Sequence, residues 1–72
     1  MRDTEEYEGF YLEPRSRKLD NGSWQPIVRV FRLIDGVVDE FYPLKDATDT
    51  FPSETDADNY AVDKGKAWAD NS

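Results

Sequence analysis

Trp24-Gln25-Pro26-Ile27-Val28-Arg29-Val30-Phe31-Arg32-Leu33-Ile34 is the stretch that decides the fold. Val28, Val30, Phe31, Leu33 and Ile34 are β-branched or bulky, the residue types that suit a pleated, half-buried surface. Read with period two, Trp24, Pro26, Val28, Val30 and Arg32 fall on one face, and Gln25, Ile27, Arg29, Phe31 and Leu33 on the other. Both faces are substantially apolar, so this strand belongs at the centre of a sheet. Asp35-Gly36 follows, a two-residue hairpin signal of the type I′ kind, whose central residues both need positive φ. Val37 to Leu44 then makes a returning strand that ends near Pro43. The consecutive Val37 and Val38 leave its register open.

Working upstream, Asp20-Asn21-Gly22 is a strong turn signal. It joins the central strand to a first strand over Tyr7 to Arg15, through the polar, basic stretch Arg15 to Leu19. Phe10, Leu12 and Pro14 share one side of that first strand, and Gly9, Tyr11 and Glu13 the other. Pro14 has no N–H to give to a ladder and is expected at a strand end or an open edge. Residues 1–6 are polar and acidic and read as a flexible tail.

Downstream, Lys45 to Thr50 is a polar connection. Ser53 is then placed to cap a helix, its hydroxyl accepting from the backbone N–H of Asp56. Glu54, Asp56 and Asp58 crowd the start of that helix, where the dipole favours negative charge, while Lys64 and Lys66 come late. The helix is expected from about Glu54 to Ala69 or Asp70. Ala57, Ala61, Gly65 and Trp68 form its buried stripe. Glycine costs about 1 kcal/mol relative to alanine inside a helix. Close approach of the helix backbone to the sheet is the simplest compensation for Gly65. These readings combine into an α+β domain over residues 7–72: a three-stranded antiparallel meander with one C-terminal helix packed on one face, β-β-β-α. Which face of the sheet the helix covers stays open at this level.

The chain has 72 residues, with 16 acidic and 9 basic side chains, a formal charge of -7, and neither cysteine nor histidine. That length holds one domain. The missing residue types exclude disulfides, Cys/His zinc sites, thiol nucleophiles and histidine general bases. A charged fraction of 35% would suit a disordered segment, but 14% aromatic residues provide material for a core. No apolar run approaches the ~20 residues that span a bilayer. The start of the chain has no apolar signal-peptide region, so a cytoplasmic location is expected. The acid balance opposes general binding to phosphates and anionic membranes.

The many carboxylates invite a catalytic or metal reading. Asp39-Glu40, Asp46, Asp49, Asp56, Asp58 and Asp63 are better explained as a solvated face, because paired-acid catalysis needs a cleft that so short a chain hardly supplies. Asp56-Ala57-Asp58 lacks the glycine and terminal glutamate of a calcium loop. A serine nucleophile could be served only by a desolvated lysine, and Lys64 better fits a stem lying along apolar surface with its ammonium in water. The expectation is a protein with no enzymatic activity, cofactor or metal.

Several of these segments also resemble a known group. Tyr7, Phe10 and Tyr11 in the first strand, Asp20-Asn21-Gly22-Ser23-Trp24, Phe51-Pro52-Ser53, and the helix stripe Ala57, Ala61, Gly65 and Trp68 resemble the small bacterial strand-strand-strand-helix proteins carried as domains of unknown function. The resemblance covers roughly residues 7–70. It implies this fold and a bacterial origin, and it brings no catalytic residues.

A single helix covers a single sheet face. The other face then offers apolar and aromatic groups, and aromatics with arginine are what interface cores enrich. The expected function is contact with a protein partner or a second copy of the chain through Tyr11, Ile27, Arg29, Phe31 and Leu33. The alternative is a nucleic-acid accessory role for Arg15, Arg17, Lys18, Arg29 and Arg32. It rests on the way open sheets of aromatics and arginines stack single-stranded bases.

Overall fold

The computed structural model describes residues 2–72; Met1, at the head of the expected tail, lies outside the described residues. The elements are β1 (Glu5–Tyr7), β2 (Phe10–Pro14), β3 (Arg17–Lys18), β4 (Trp24–Gln25), β5 (Val28–Ile34), β6 (Val37–Phe41) and α1 (Glu54–Asp70). The α+β class and the single C-terminal helix stand, but the expected three-stranded meander does not. The main sheet has four antiparallel strands in the order β1-β2-β5-β6, and β3 with β4 forms a separate two-stranded ladder.

Two local features account for the difference. First, the stretch read as one strand from Tyr7 turns back on itself at Glu8-Gly9, where φ is 55° and 84°. That turn folds Glu5–Tyr7 onto β2 in the register Glu5 with Leu12 and Tyr7 with Phe10. Part of the acidic stretch expected as tail is therefore an edge strand. Second, the long central strand is interrupted at Pro26-Ile27. Proline has no N–H for a ladder, and the chain there leaves the β3–β4 ladder and enters β5. Asp35-Gly36 makes its tight turn as expected, with φ of 53° and 80°, and sets Ile34 opposite Val37 and Phe31 opposite Glu40.

α1 lies across the face that carries Phe10, Leu12, Val28 and Val30. These four side chains, with Leu44, Ala61, Val62 and Ala69, make the buried core. Ser53 Oγ accepts from the Asp56 N–H at 3.1 Å, as the capping pattern requires. No basic residue falls in the last turn. Gly65 faces the sheet so closely that a Cβ there would stand 3.3 Å from Leu12 Cδ2 and 3.5 Å from Val28 Cγ2. Trp68 closes one end of the core, edge-on to Phe10 at 5.4 Å between centroids and tilted against Phe41 at 4.6 Å. Tyr60 and Phe51 close the other, 4.8 Å apart. Backbone bonds between Trp24 and Phe51 of 2.7 and 2.9 Å tie β4 to the segment before the helix.

β1 is fastened to α1 by polar contacts. Tyr7 OH donates to Asp70 at 2.8 Å, and Lys66 reaches Glu5 at 3.3 Å. The Arg2 N–H donates to the buried Asp58 at 3.0 Å, while its guanidinium bonds Asn59 and Glu5. Burial pushes the Glu5 carboxyl up, but its bonds to Lys66 and Arg2 outweigh that and hold it below the usual range. The hydrogen bond to Asp70 raises the Tyr7 phenol. A short edge strand with few apolar groups is thus held by its charges.

Candidate interaction surface

The helix leaves the other face of the sheet open, and its centre is a built cluster. Tyr11 of β2 stands opposite Phe31 of β5, and their rings stack at 5.4 Å with 23° between planes. The Arg29 guanidinium lies 4.2 Å above the Phe31 ring. Its Nε donates to Glu40 at 2.5 Å, and its other arm comes within 3.6 Å of Glu13. The bond to the Glu40 carboxylate raises the Arg29 pKa. Glu13 also holds Arg15 at 2.8 Å. Arginine beside an aromatic face and opposite acids is a stable cross-strand arrangement.

Of the expected contact residues, Tyr11, Arg29 and Phe31 come together in this cluster. Leu33 follows on the same face beyond Phe31 and is 65% exposed. Ile27 lies before β5 begins and lines a cleft rather than joining the cluster. The five basic residues of the alternative reading do not form one patch. Arg15 and Arg29 are tied to Glu13 and Glu40, whereas Arg32 sits on the opposite face, above the Phe10 ring and 3.9 Å from Asp39. Arg17 and Lys18 lie on the small ladder, with Arg17 donating to Gln25 at 2.9 Å.

Two features went unread in the sequence. The first is the end of the β5–β6 hairpin, where Ile34, Val37 and Val38 are exposed alongside Leu33. The signal was available: paired apolar residues flank Asp35-Gly36 on both sides, so both faces of the tip are apolar while a helix can cover only one. The second is an open cleft of about 280 Å³ where β6 ends, with Arg17, Tyr42 and Lys45 around Ile27, Val28 and Leu44. Its residues come from three separate segments, and no local pattern announces it.

Elsewhere, Asp58 is a buried carboxylate whose Oδ1 has no hydrogen-bond partner among the described residues. Among those residues no three acidic side chains converge as a metal site would need, and no helix is long and apolar enough to cross a membrane. Compared with family models, curated proteins and solved structures, the chain matches none of them.

Proposed function

We propose that this is a non-enzymatic cytosolic protein that acts by burying the open sheet face and the β5–β6 hairpin end on another protein surface. The observation that carries the reading is the exposure of Leu33, Ile34, Val37 and Val38 at one end of the sheet. Leu33 and Val38, paired across the hairpin, lie on the open face, with Ile34 and Val37 on the other side of the same tip, and exposed apolar groups gathered in this way are characteristic of protein contact sites. The Tyr11–Phe31–Arg29 cluster continues it along the face. Arg29 and Glu40 hold the Phe31 ring in place before any partner arrives, so less side-chain freedom is lost on binding.

The test places a photo-crosslinking residue at Val38 of the full chain and irradiates it in the native host, alongside light scattering of the purified protein over a concentration series. A discrete protein adduct, or concentration-dependent self-association, is expected. Phe31→Asp and Leu33→Asp should each remove it while circular dichroism stays native. Folded variants that keep the adduct and the association would sink the reading. Retention on RNA or DNA that weakens steeply with salt, in place of a protein adduct, would replace it with the nucleic-acid role.

A further inference from the structure

Most of the chain's cations are spoken for. Arg2, Arg15, Arg29, Arg32 and Lys66 each hold at least one carboxylate. Arg17, Lys18, Lys45 and Lys64 hold none among the described residues, although acids outnumber bases 16 to 9 in the sequence. Of these four, Arg17 and Lys45 border the same cleft, which is lined by the apolar Ile27, Val28 and Leu44, by Gln25, whose side-chain oxygen accepts from Arg17, and by the half-exposed Tyr42. Two unmatched positive charges over an apolar floor, in a chain of charge -7, are complementary to one kind of group: an apolar side chain with a carboxylate beside it.

The shape says how such a group arrives. At about 280 Å³ the cleft falls just short of the ~300–1,000 Å³ typical of pockets that enclose a whole small molecule. It is enough for one large side chain. It also lies at the end of β6, one of the two outer strands of the sheet. A strand with a neighbour on one side only directs half of its backbone N–H and C=O groups outward, and an extended peptide can pair with them. The two acids on β6 itself, Asp39 and Glu40, are engaged by Arg32 and Arg29, so they present little free charge to a chain running beside them.

We infer that the cleft anchors an extended acidic segment of the protein partner, one apolar side chain seated between Ile27, Val28 and Leu44 and a carboxylate against Arg17 and Lys45. This rests on the reading of the chain as a protein-contact module and names the chemistry of what it contacts. The β6 edge guides the backbone, the floor takes the anchor, and the two cations set the sign of charge that is accepted.

The test titrates the full ¹⁵N-labelled chain with two pools of short peptides blocked at both ends. In one, Leu, Ile and Phe alternate with Asp and Glu; in the other, with Lys and Arg. A third arm uses 4-phenylbutyrate, a small anion with an apolar body. The acidic pool should shift the amides of Ile27, Tyr42, Lys45 and β6, and the basic pool should leave them unmoved. Joint Arg17→Ala and Lys45→Ala replacement should weaken binding by about tenfold, the combined effect of two partly exposed ion pairs. An equal response to the basic pool, or unchanged affinity in the double variant, overturns the inference. So does a response to phenylbutyrate with β6 amides unmoved by the acidic pool, which would make the cleft a small-anion site. The Val38 adduct is read separately. Adduct without peptide binding removes the cleft proposal alone, whereas peptide binding without any adduct or self-association removes the wider one.

Discussion

Gly65 measures how closely the helix lies on the sheet, and a substitution series there turns that distance into energies. Replacing glycine by alanine in a helix interior gains about 1 kcal/mol of propensity. Against this stands the new Cβ, 3.3 Å from Leu12 Cδ2, with Val28 and Val30 methyls at 3.5 and 3.6 Å. The two valine contacts are ordinary van der Waals distances and add attraction. The leucine contact is tight by a few tenths of an ångström, and Leu12 is fully buried, so it yields only by shifting its neighbours. Overpacking of a close-packed core costs about 1–3 kcal/mol when whole methylenes are forced in, and a single tight contact to a side-chain end lies near the foot of that range. Gly65→Ala should therefore fall within about 0.5 kcal/mol of the parent, its two effects nearly cancelling.

Gly65→Val removes the cancellation. Its two extra methyls have no room between the Leu12, Val28 and Val30 side chains, and its β-branch gives up part of the propensity gain. A loss of about 2 kcal/mol is expected. A 72-residue chain typically has only about 4–11 kcal/mol of stability in all. Ala67, exposed on the same helix, is the control: Ala67→Gly should cost about 1 kcal/mol through propensity alone. Urea unfolding followed by circular dichroism reads all three, with the m-value checking that the unfolded states stay comparable. If Gly65→Val is as stable as the parent, the helix does not lie this close to the sheet and the core described above is wrong.

Two further expectations concern the edge strand. Glu8 sits at φ 55°, a left-handed backbone that costs a residue with a Cβ about 1–2 kcal/mol; Glu8→Gly should stabilise the chain by about 0.5–1 kcal/mol after the greater freedom of the unfolded glycine is subtracted, and a net loss in urea unfolding would contradict the turn. Because the folded Glu5 carboxyl is held below its ordinary value of 4.5, its contribution is present above that value and is lost as pH falls through the lower folded one. Because the Tyr7 phenol is raised above 10.0, its contribution is present below that value and is lost as pH rises through the higher folded one. Glu5→Gln should flatten the acid limb of the stability–pH curve and Tyr7→Phe the alkaline limb, each leaving the other limb in place, and interchangeable effects would refute the assignment.

The elements legible in the sequence are those written in local chemistry. Ser53 caps the helix because a hydroxyl sits three residues before an orphan N–H. Asp35-Gly36 turns because both residues tolerate positive φ. The stripe through Ala57, Ala61 and Gly65 faces the sheet because a small residue recurs every four positions. Where composition and geometry disagreed, composition misled. Glu5 and Glu6 have the make-up of a solvated tail, yet they pair with β2 because Glu8-Gly9 turns without the Asn-Gly or Asp-Gly pair that marks such hairpins, and because Arg2, Lys66 and Asp70 supply fastening from outside the strand. Tyr11, Arg29 and Phe31 could be placed on one face from alternation alone. Ile27 could not, because Pro26 breaks the strand before the alternation reaches it. The hairpin end depends on where the helix stops covering the sheet, and the cleft on bringing residues 17, 27 and 45 together. Both are tertiary facts.

Net charge also reads differently once the partners are known. A value of -7 implies repulsion from any acidic partner, and at long range that is so. At physiological salt the Debye length is about 8 Å, so an approaching segment feels mainly the charges near its landing point. Along the sheet face those charges cancel in pairs: Arg29 against Glu13 and Glu40, Arg15 against Glu13. Around the cleft they do not cancel, since Arg17 and Lys45 hold no acid among the described residues. Against this surplus of acid, two cations on one cleft that hold no carboxylate stand out, because acids to neutralise them were available and were placed elsewhere. An acidic segment would be slowed in its approach and then held locally, and this favours a partner whose acid is confined to a short stretch beside an apolar anchor over one that is acidic throughout.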